Sequence, residues 1–378
     1  LAGVVMADNP FRITIYDKDF VRQGWLGDPE TLDVTVNYNE LSSADVTVGA
    51  RNAKLPLLME RGARLVITYQ DEHCISGPVR VRAGKGPGTD GTVTFSVVDD
   101  FRLFHRVLGW PVPGAGLGAQ TSEYHTISGP AETVLKTAVT ANAVTRLGEP
   151  VTVAADLGRG GDITAAFRFH PLADRLFPAV DSAGIGATVR QSGAGLVVDC
   201  FEPQLHPRNL TEAGGVVLEW SWTAQEAEAT DVIVGGQGEG TARQFAGYTD
   251  PALAAELGER AEVFRDARDS GDGDVFGERA AETFIETAAK SGLSVKLSES
   301  SVFRYGGPGG VHVGDQVSLV VGDGLVITDT LRSASLSWTR DGGLEVIPAI
   351  GDISDNTDKQ FARALASVAA GVRDLRRK

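Results

Sequence analysis

Leu32, Val34, Val36 and Tyr38 alternate with Asp33, Thr35 and Asn37, and a period of two means that one face of an extended segment is buried while the other meets solvent. The alternation returns at Leu65 to Tyr69, at Val79 and Val81 against Arg80 and Arg82, and at Val93, Phe95 and Val97. Turns containing glycine separate these runs, and 46 glycines in 378 residues supply many such turns. Phe11 to Pro113 therefore reads as short strands folded into a small barrel or sandwich. Edge strands in such a body need partners, so later strands such as Val216 to Trp222 are expected to complete it.

Between Gly114 and Cys200 the pattern changes. PGAGLGAQ reads as a linker or exposed loop. Ser128 or Gly129 can then cap a helix with Pro130 near its first position and Val134, Leu135, Ala138 and Val139 on its apolar stripe, ending near Gly148. A shorter helix is predicted around Leu172 to Ala183, with Leu172, Leu176, Phe177 and Val180 inward and Pro178 placed to kink it. Ala187 to Phe201 returns to strand, which makes this an α/β module. Farther on, Pro251 to Leu257 and Gly277 to Lys290 read as helices on either side of a strand-like Ala261 to Phe264. Val317, Leu319 and Val321 then open a second β region.

The last segment carries Phe361, Leu365, Val368, Val372 and Leu375 at alternating spacings of four and three, with basic residues at its end. It reads as a helix with one apolar seam, which either packs on its own domain or associates with another copy. At this length two or more cores are expected. The predicted fold class is α+β, predominantly β. Its divisions are a first β body at 8–113, an α/β module at 114–202, a second β body at 203–352 with a helical insertion near 250–292, and a C-terminal helix at 353–378.

The formal charge is −15, which argues against a chain that grips nucleic acid by neutralising phosphates. Between Glu226 and Glu286 there are fifteen acidic and five basic residues, so one segment carries −10 of that total. Cys74 and Cys200 are the two cysteines and lie far apart, so buried free thiols are expected in place of a disulfide framework or a zinc site. No apolar run has the length of a membrane span. The opening LAGVVMA lacks the basic start of a signal peptide; Leu1 is an unusual initiator, so a non-ATG start or a start at Met6 is expected.

Catalytic and ligand motifs are sparse. GGQGEG after Val232-Ile233-Val234 lacks both the P-loop lysine and the GxGxxG spacing, so it reads as a plain loop. DARDSGDGD fits no EF-hand register and reads as a solvated turn. The six histidines form no HExxH pair, and no GxSxG elbow occurs. No cofactor, metal or catalytic residue is predicted.

Several segments, taken in order and spacing, resemble the minor tail proteins that form the tail-tip hub of siphophages infecting actinobacteria. They are RITIYDKDFVRQGWLGD, AKLPLLMERGARLVITY, FRLFHRVLGWPVPG, AETVLKTAVTANAV, LGERAEVFRDARD with GERAAETFIETA, and VHVGDQVSLVV followed by LSWTRDGGLEVIPAIGD. That family is similar in role to the hub proteins of contractile tails. The resemblance implies two tail-tube-like β-barrel bodies per subunit and a homotrimer that adapts a hexameric tail tube to threefold tip parts. It also implies a channel through which DNA passes without specific binding. The implied partners are further copies of the chain, the distal tail or tail-tube protein, other minor tail and tip proteins, and a tape-measure protein. The implied setting is the tail tip of the virion, assembled in the host cytoplasm, with a structural role and no enzyme activity. Glu256, Glu259, Asp266, Asp269 and Glu282 are candidate lumen residues, because a negative wall repels phosphates; the same acids could instead face solvent for solubility. A tail-associated cell-wall hydrolase and a host receptor-binding tail module are the alternative readings.

Overall fold

The computed structural model describes residues 9–86, 90–211, 217–268, 273–297, 303–322 and 324–351. They fall into two compact units, one built from the chain up to Trp220 together with Ser294–Gly351, the other from Ser221–Leu293. The chain is predominantly β, as its alternation predicts.

In the larger unit, among the described residues, most strands of the β bodies lie on one path, with three small sheets apart from it. The path runs from Gly343–Gly351 through Leu325–Thr339, Thr31–Asn37, Ser43–Gly49, Thr92–Val98, Glu72–Lys85, Arg64–Tyr69 and Phe11–Tyr16 to Arg22–Leu26. Two long strands make the path continuous, because each changes partner along its length. Glu72–Lys85 pairs first with Arg64–Tyr69 and then with Thr92–Val98. Leu325–Thr339 pairs first with Gln316–Val321 and then with both Gly343–Gly351 and Thr31–Asn37. The expected closed barrels are corrected here: among the described residues the path stays open at Arg22–Leu26. A late strand does complete the first body, and the one that lies against Thr31–Asn37 is Leu325–Thr339.

The alternation places the core. Leu32, Val34, Leu65, Ile67, Phe95 and Val97 are buried, as are Val317, Leu319 and Val321. It fails at Val81, which was expected inward and is 55% exposed. A bulge between Val79 and Val81 shifts the register, and Arg82 turns to donate to the backbone oxygens of Leu58 and Glu60 at 3.0 and 2.6 Å. Gly77 lies where Glu72–Lys85 changes partner, and a Cβ there would stand 1.9 Å from the backbone oxygen of Val98. Backbone cannot yield as a flexible side chain can, so Gly77→Ala is expected to cost about 3 kcal/mol in urea unfolding, the upper end of the usual overpacking range. A loss under about 0.5 kcal/mol would show that the two strands separate freely.

The α/β module lies in the same unit. Its first helix is Ala131–Val139, continued as a π-helical stretch over Thr140–Arg146, and Val134, Leu135, Ala138 and Val139 are all fully buried. Pro130 itself holds the N-cap position, without a side-chain cap. Ser128, a candidate cap, belongs instead to the strand His125–Pro130, where its hydroxyl meets that of Thr164 at 2.9 Å. The second helix, Leu172–Ser182, retains Pro178 and buries Leu172, Leu176 and Val180, with Phe177 partly covered. Gly186–Ser192, Gly195–Phe201 and Val151–Val153 form a small mixed sheet against these helices. The glycine-rich loop before them is held by Gln120, whose side chain bonds Val112 through both its amide groups. Both cysteines are free, Cys200 buried and Cys74 half-buried.

The smaller unit has Asp231–Gly235 at the centre of a three-stranded sheet, antiparallel to Phe245–Thr249 and parallel to Glu262–Asp266. The first helix expected here falls at Pro251–Leu257; the second runs over Gly273–Glu286, four residues earlier than the expected Gly277 to Lys290, and Lys290 opens a strand. The first is delimited by local chemistry: the Asp250 carboxylate accepts from the N–H groups of Ala252 and Leu253, Pro251 starts the first turn, and Gly258 ends it at φ 72°. Val232, Val234, Ala267, Phe276 and Ala280 form its core. The GGQGEG loop is closed by Arg243, which donates to the backbone oxygens of Gly235 and Gly236.

Candidate functional site

For a chain whose sequence points to assembly, the candidate site begins with surfaces that another chain could cover. The strand Arg22–Leu26 pairs with Phe11–Tyr16, setting Trp25 opposite Thr14 and Leu26 opposite Ile13. Asp17 shapes the turn between them, its carboxylate accepting from the N–H groups of Asp19 and Val21, both at 2.9 Å. Leu26 faces the core, whereas Trp25 is 60% exposed and Val21 56%. Among the described residues no strand pairs with the outer edge of Arg22–Leu26. Unused backbone donors and acceptors thus stand beside a large exposed aromatic.

The candidate lumen acids differ in their surroundings. Glu256 and Glu259 are exposed. Asp266 is held by Arg243 at 2.6 Å and Arg268 at 3.0 Å. Glu282 is half-buried and held by Arg279 at 3.0 Å, with Arg265 at 3.8 Å. Pairing cancels much of the field of these last two, so the outward negative potential of the set falls on Glu256 and Glu259. Asp231, also in this segment, is buried with its carboxylate bound by Arg260 and Thr249, which holds it well below the usual carboxylate range. Asp269 lies outside the described residues, as does the whole apolar seam Phe361, Leu365, Val368, Val372 and Leu375.

Two buried ionic clusters in the larger unit were not foreseen from the sequence. In one, Arg64 donates to both carboxylate oxygens of Asp100 at 2.7 and 2.6 Å, and Ser76 donates to Asp100 at 2.8 Å. In the other, Lys136 and Arg159 close on Glu132 at 2.6 and 2.8 Å. The only visible signals are adjacent acids at Asp99-Asp100 and an i, i+4 pair at Glu132 and Lys136, patterns that surface helices and turns also use.

The same unit holds a cavity of about 270 Å³ whose walls come from distant segments: Tyr38, Tyr69, His73, Asp99, Phe201 and Tyr305 among them. Burial, and next the charge of Asp100, pushes the Asp99 carboxyl up to about 7. Burial, helped by the positive charge of Arg190, lowers His73 to about 4. Burial also pushes the Cys74 thiol up to about 12, which keeps it a poor nucleophile. Among the described residues no cluster of His, Cys, Asp and Glu is placed to hold a metal ion, and no helix is long and apolar enough to cross a membrane.

The fold is similar to that of solved phage tail proteins. The 43 kDa tail protein of prophage MuSo2 from Shewanella oneidensis superposes with a TM-score of 0.55 at 12% identity, covering 90% of this chain and 100% of that one. The tail protein from Neisseria meningitidis MC58 gives 0.51 at 11% identity over 91% and 97% of the two chains. Prophage tail protein gp18 from Listeria monocytogenes EGD-e gives 0.51 at 12% identity over 95% and 99%. At such identities the likeness is one of fold. The chain belongs to the Siphovirus ReqiPepy6 Gp37-like protein family, whose model matches residues 12–352. No curated protein sequence matches it.

Proposed function

We propose that this chain is a structural hub of a siphophage tail tip, a homotrimer whose strands build a ring wall around the channel for DNA. The observation that carries this reading is the open strand path, in a chain of a siphovirus family with the fold of tail proteins over nearly its whole length. A sheet with a free edge and an exposed tryptophan gains most by pairing with another chain. In this reading the wall closes between copies, and the first and second β bodies, 8–113 and 203–352, both face the ring. The α/β module at 114–202 stands off it. Neighbours above and below are the distal tail or tail-tube protein and the other tip proteins, with the tape-measure protein and DNA in the channel. Glu256 and Glu259, exposed and acidic, suit a wall along which phosphates slide. The seam from Phe361 to Leu375 is proposed as a further contact between copies.

The decisive experiment is a reconstruction of the intact tail tip. A threefold ring on the central axis is the expected result, and a position off that axis would end the proposal. In solution, Trp25→Ala should weaken the trimer by about 2 kcal/mol or more, roughly thirty-fold in dissociation constant, measured by sedimentation. An unchanged constant would remove the Arg22–Leu26 edge from the interface.

A further inference from the structure

The cavity in the larger unit is the strongest feature that the assembly reading leaves unused. Its mouth is marked by Glu72 and His312, half-exposed side chains that meet at 2.8 Å. Its floor is set by Tyr69, Phe101, Tyr305 and Asp99, all nine-tenths or more buried. These residues come from the strands Arg64–Tyr69 and Glu72–Lys85, from the stretch just after Thr92–Val98 and from the two sides of the glycine-rich turn between Tyr305 and His312, so no local motif could announce them.

Which polar atoms are free decides what the cavity can hold. Asn39 is consumed: its amide donates to Asp181 and Ile185 and accepts from Ala187. Asn37 donates to Leu41, and the Tyr69 hydroxyl accepts from Gln70. The His73 ring meets only its own backbone among the described residues, and burial keeps it neutral, with one donor and one acceptor nitrogen. Tyr305 takes no side-chain hydrogen bond among the described residues, and burial holds its hydroxyl protonated. Asp99 accepts from Phe101 N–H at 3.3 Å and also takes hydrogen bonds from the Ser42 hydroxyl and the Asp100 N–H, so it has little acceptor capacity to spare.

Charge narrows the choice further. Asp99 and Glu72 oppose an anion. Arg190 raises the potential at His73, which opposes a cation; Arg332, 5.5 Å from the Tyr38 ring centre, is paired with Asp181 at 2.6 Å and adds little. What remains is a neutral molecule with hydroxyl groups for His73 and Tyr305 and an apolar face for the rings of Tyr38, Phe201 and Tyr305. The room corresponds to roughly nine waters at about 30 Å³ each, below the size of a typical drug pocket.

We propose that this cavity binds one neutral sugar ring, either a free monosaccharide or the end unit of a glycan. The probes are D-glucose, D-galactose, D-mannose and D-arabinose, each free and as its methyl glycoside, titrated into the full-length protein by calorimetry. Saturable one-to-one binding in the millimolar range is expected for at least one. Binding of the methyl glycoside as well as the free sugar identifies a glycan end; binding of the free sugar alone identifies a monosaccharide site. Tyr305→Phe keeps the ring and removes one hydrogen bond, so affinity should fall about five-fold, and His73→Ala should act similarly. Thermal melting of each variant in the absence of sugar separates lost binding from lost fold. No saturable binding from any probe, or unchanged affinity in two folded variants, overturns the proposal, as does preferential binding of acetate or tetramethylammonium.

Discussion

Arg64→Ala should lower the unfolding free energy by about 3–5 kcal/mol, because it strands a carboxylate in a place water does not reach. Arg64 is 8% exposed and Asp100 3%, and their two-oxygen pairing at 2.7 and 2.6 Å is extended on both sides. Arg64 also donates to the Gln191 side chain at 2.9 Å, while Ser76 accepts from the Gln191 N–H at 2.9 Å. The Phe20 ring covers the guanidinium at 4.4 Å. The cluster thus ties the strands Arg64–Tyr69 and Glu72–Lys85 to the strand Gly186–Ser192 of the α/β module. Without Arg64, Asp100 would face Asp99 with only the weaker influence of Arg102 to offset it, and burial already pushes both carboxyls upward. Urea unfolding of the isolated protein reads the effect. The double change Arg64→Met with Asp100→Leu should recover much of the loss, since a buried pair replaced by apolar groups is often neutral. A single-variant loss under about 1 kcal/mol would mean that the site opens to water.

Glu132→Gln should produce a loss of similar size at neutral pH, about 3–5 kcal/mol, and should also change how stability depends on acid. Glu132 is fully buried, and it accepts from Lys136 Nζ at 2.6 Å and from Arg159 through its N–H, Nε and Nη2 at 2.9, 2.9 and 2.8 Å. Lys136 continues to Ala155 O and to Asp199 at 2.7 and 3.1 Å. The Arg159 guanidinium, and after it Lys136, hold the Glu132 carboxyl down at about 2, against the opposing effect of burial. A folded-state value below the ordinary 4.5 means that the unfolded chain takes up the proton first. The stabilisation is therefore complete above about pH 4.5 and is lost as pH falls toward about 2. Thermal melts between those limits should show the native protein losing stability faster than Glu132→Gln, so that the two curves converge. Parallel curves would show that another carboxylate governs acid unfolding.

Some of this architecture was legible from residue order because its causes are local. Asp250, Pro251 and Gly258 delimit a helix through contacts within one or two turns. Val134, Leu135, Ala138 and Val139 recur at helical spacing, and their burial follows from that spacing alone. The candidate lumen acids were legible as charge, yet not as field, because the arginines that neutralise Asp266 and Glu282 include Arg243 and Arg265 from other elements. The bulge that turns Val81 outward was hidden for a similar reason: Arg82 is drawn to the backbone of Leu58 and Glu60, about twenty residues away.

By itself, the amino-acid order determined that this protein is mostly strand, which face of most strands is buried, and roughly where its longer helices fall. Tertiary structure alone decided that Leu325–Thr339 lies against Thr31–Asn37, that Arg64 meets Asp100 and Gln191, and that Tyr38, Asp99 and Tyr305 share one cavity. The reason is physical: a period of two specifies a face but is the same for every possible partner, so pairing across three hundred residues is chosen by the shape and charge of the whole assembly of strands.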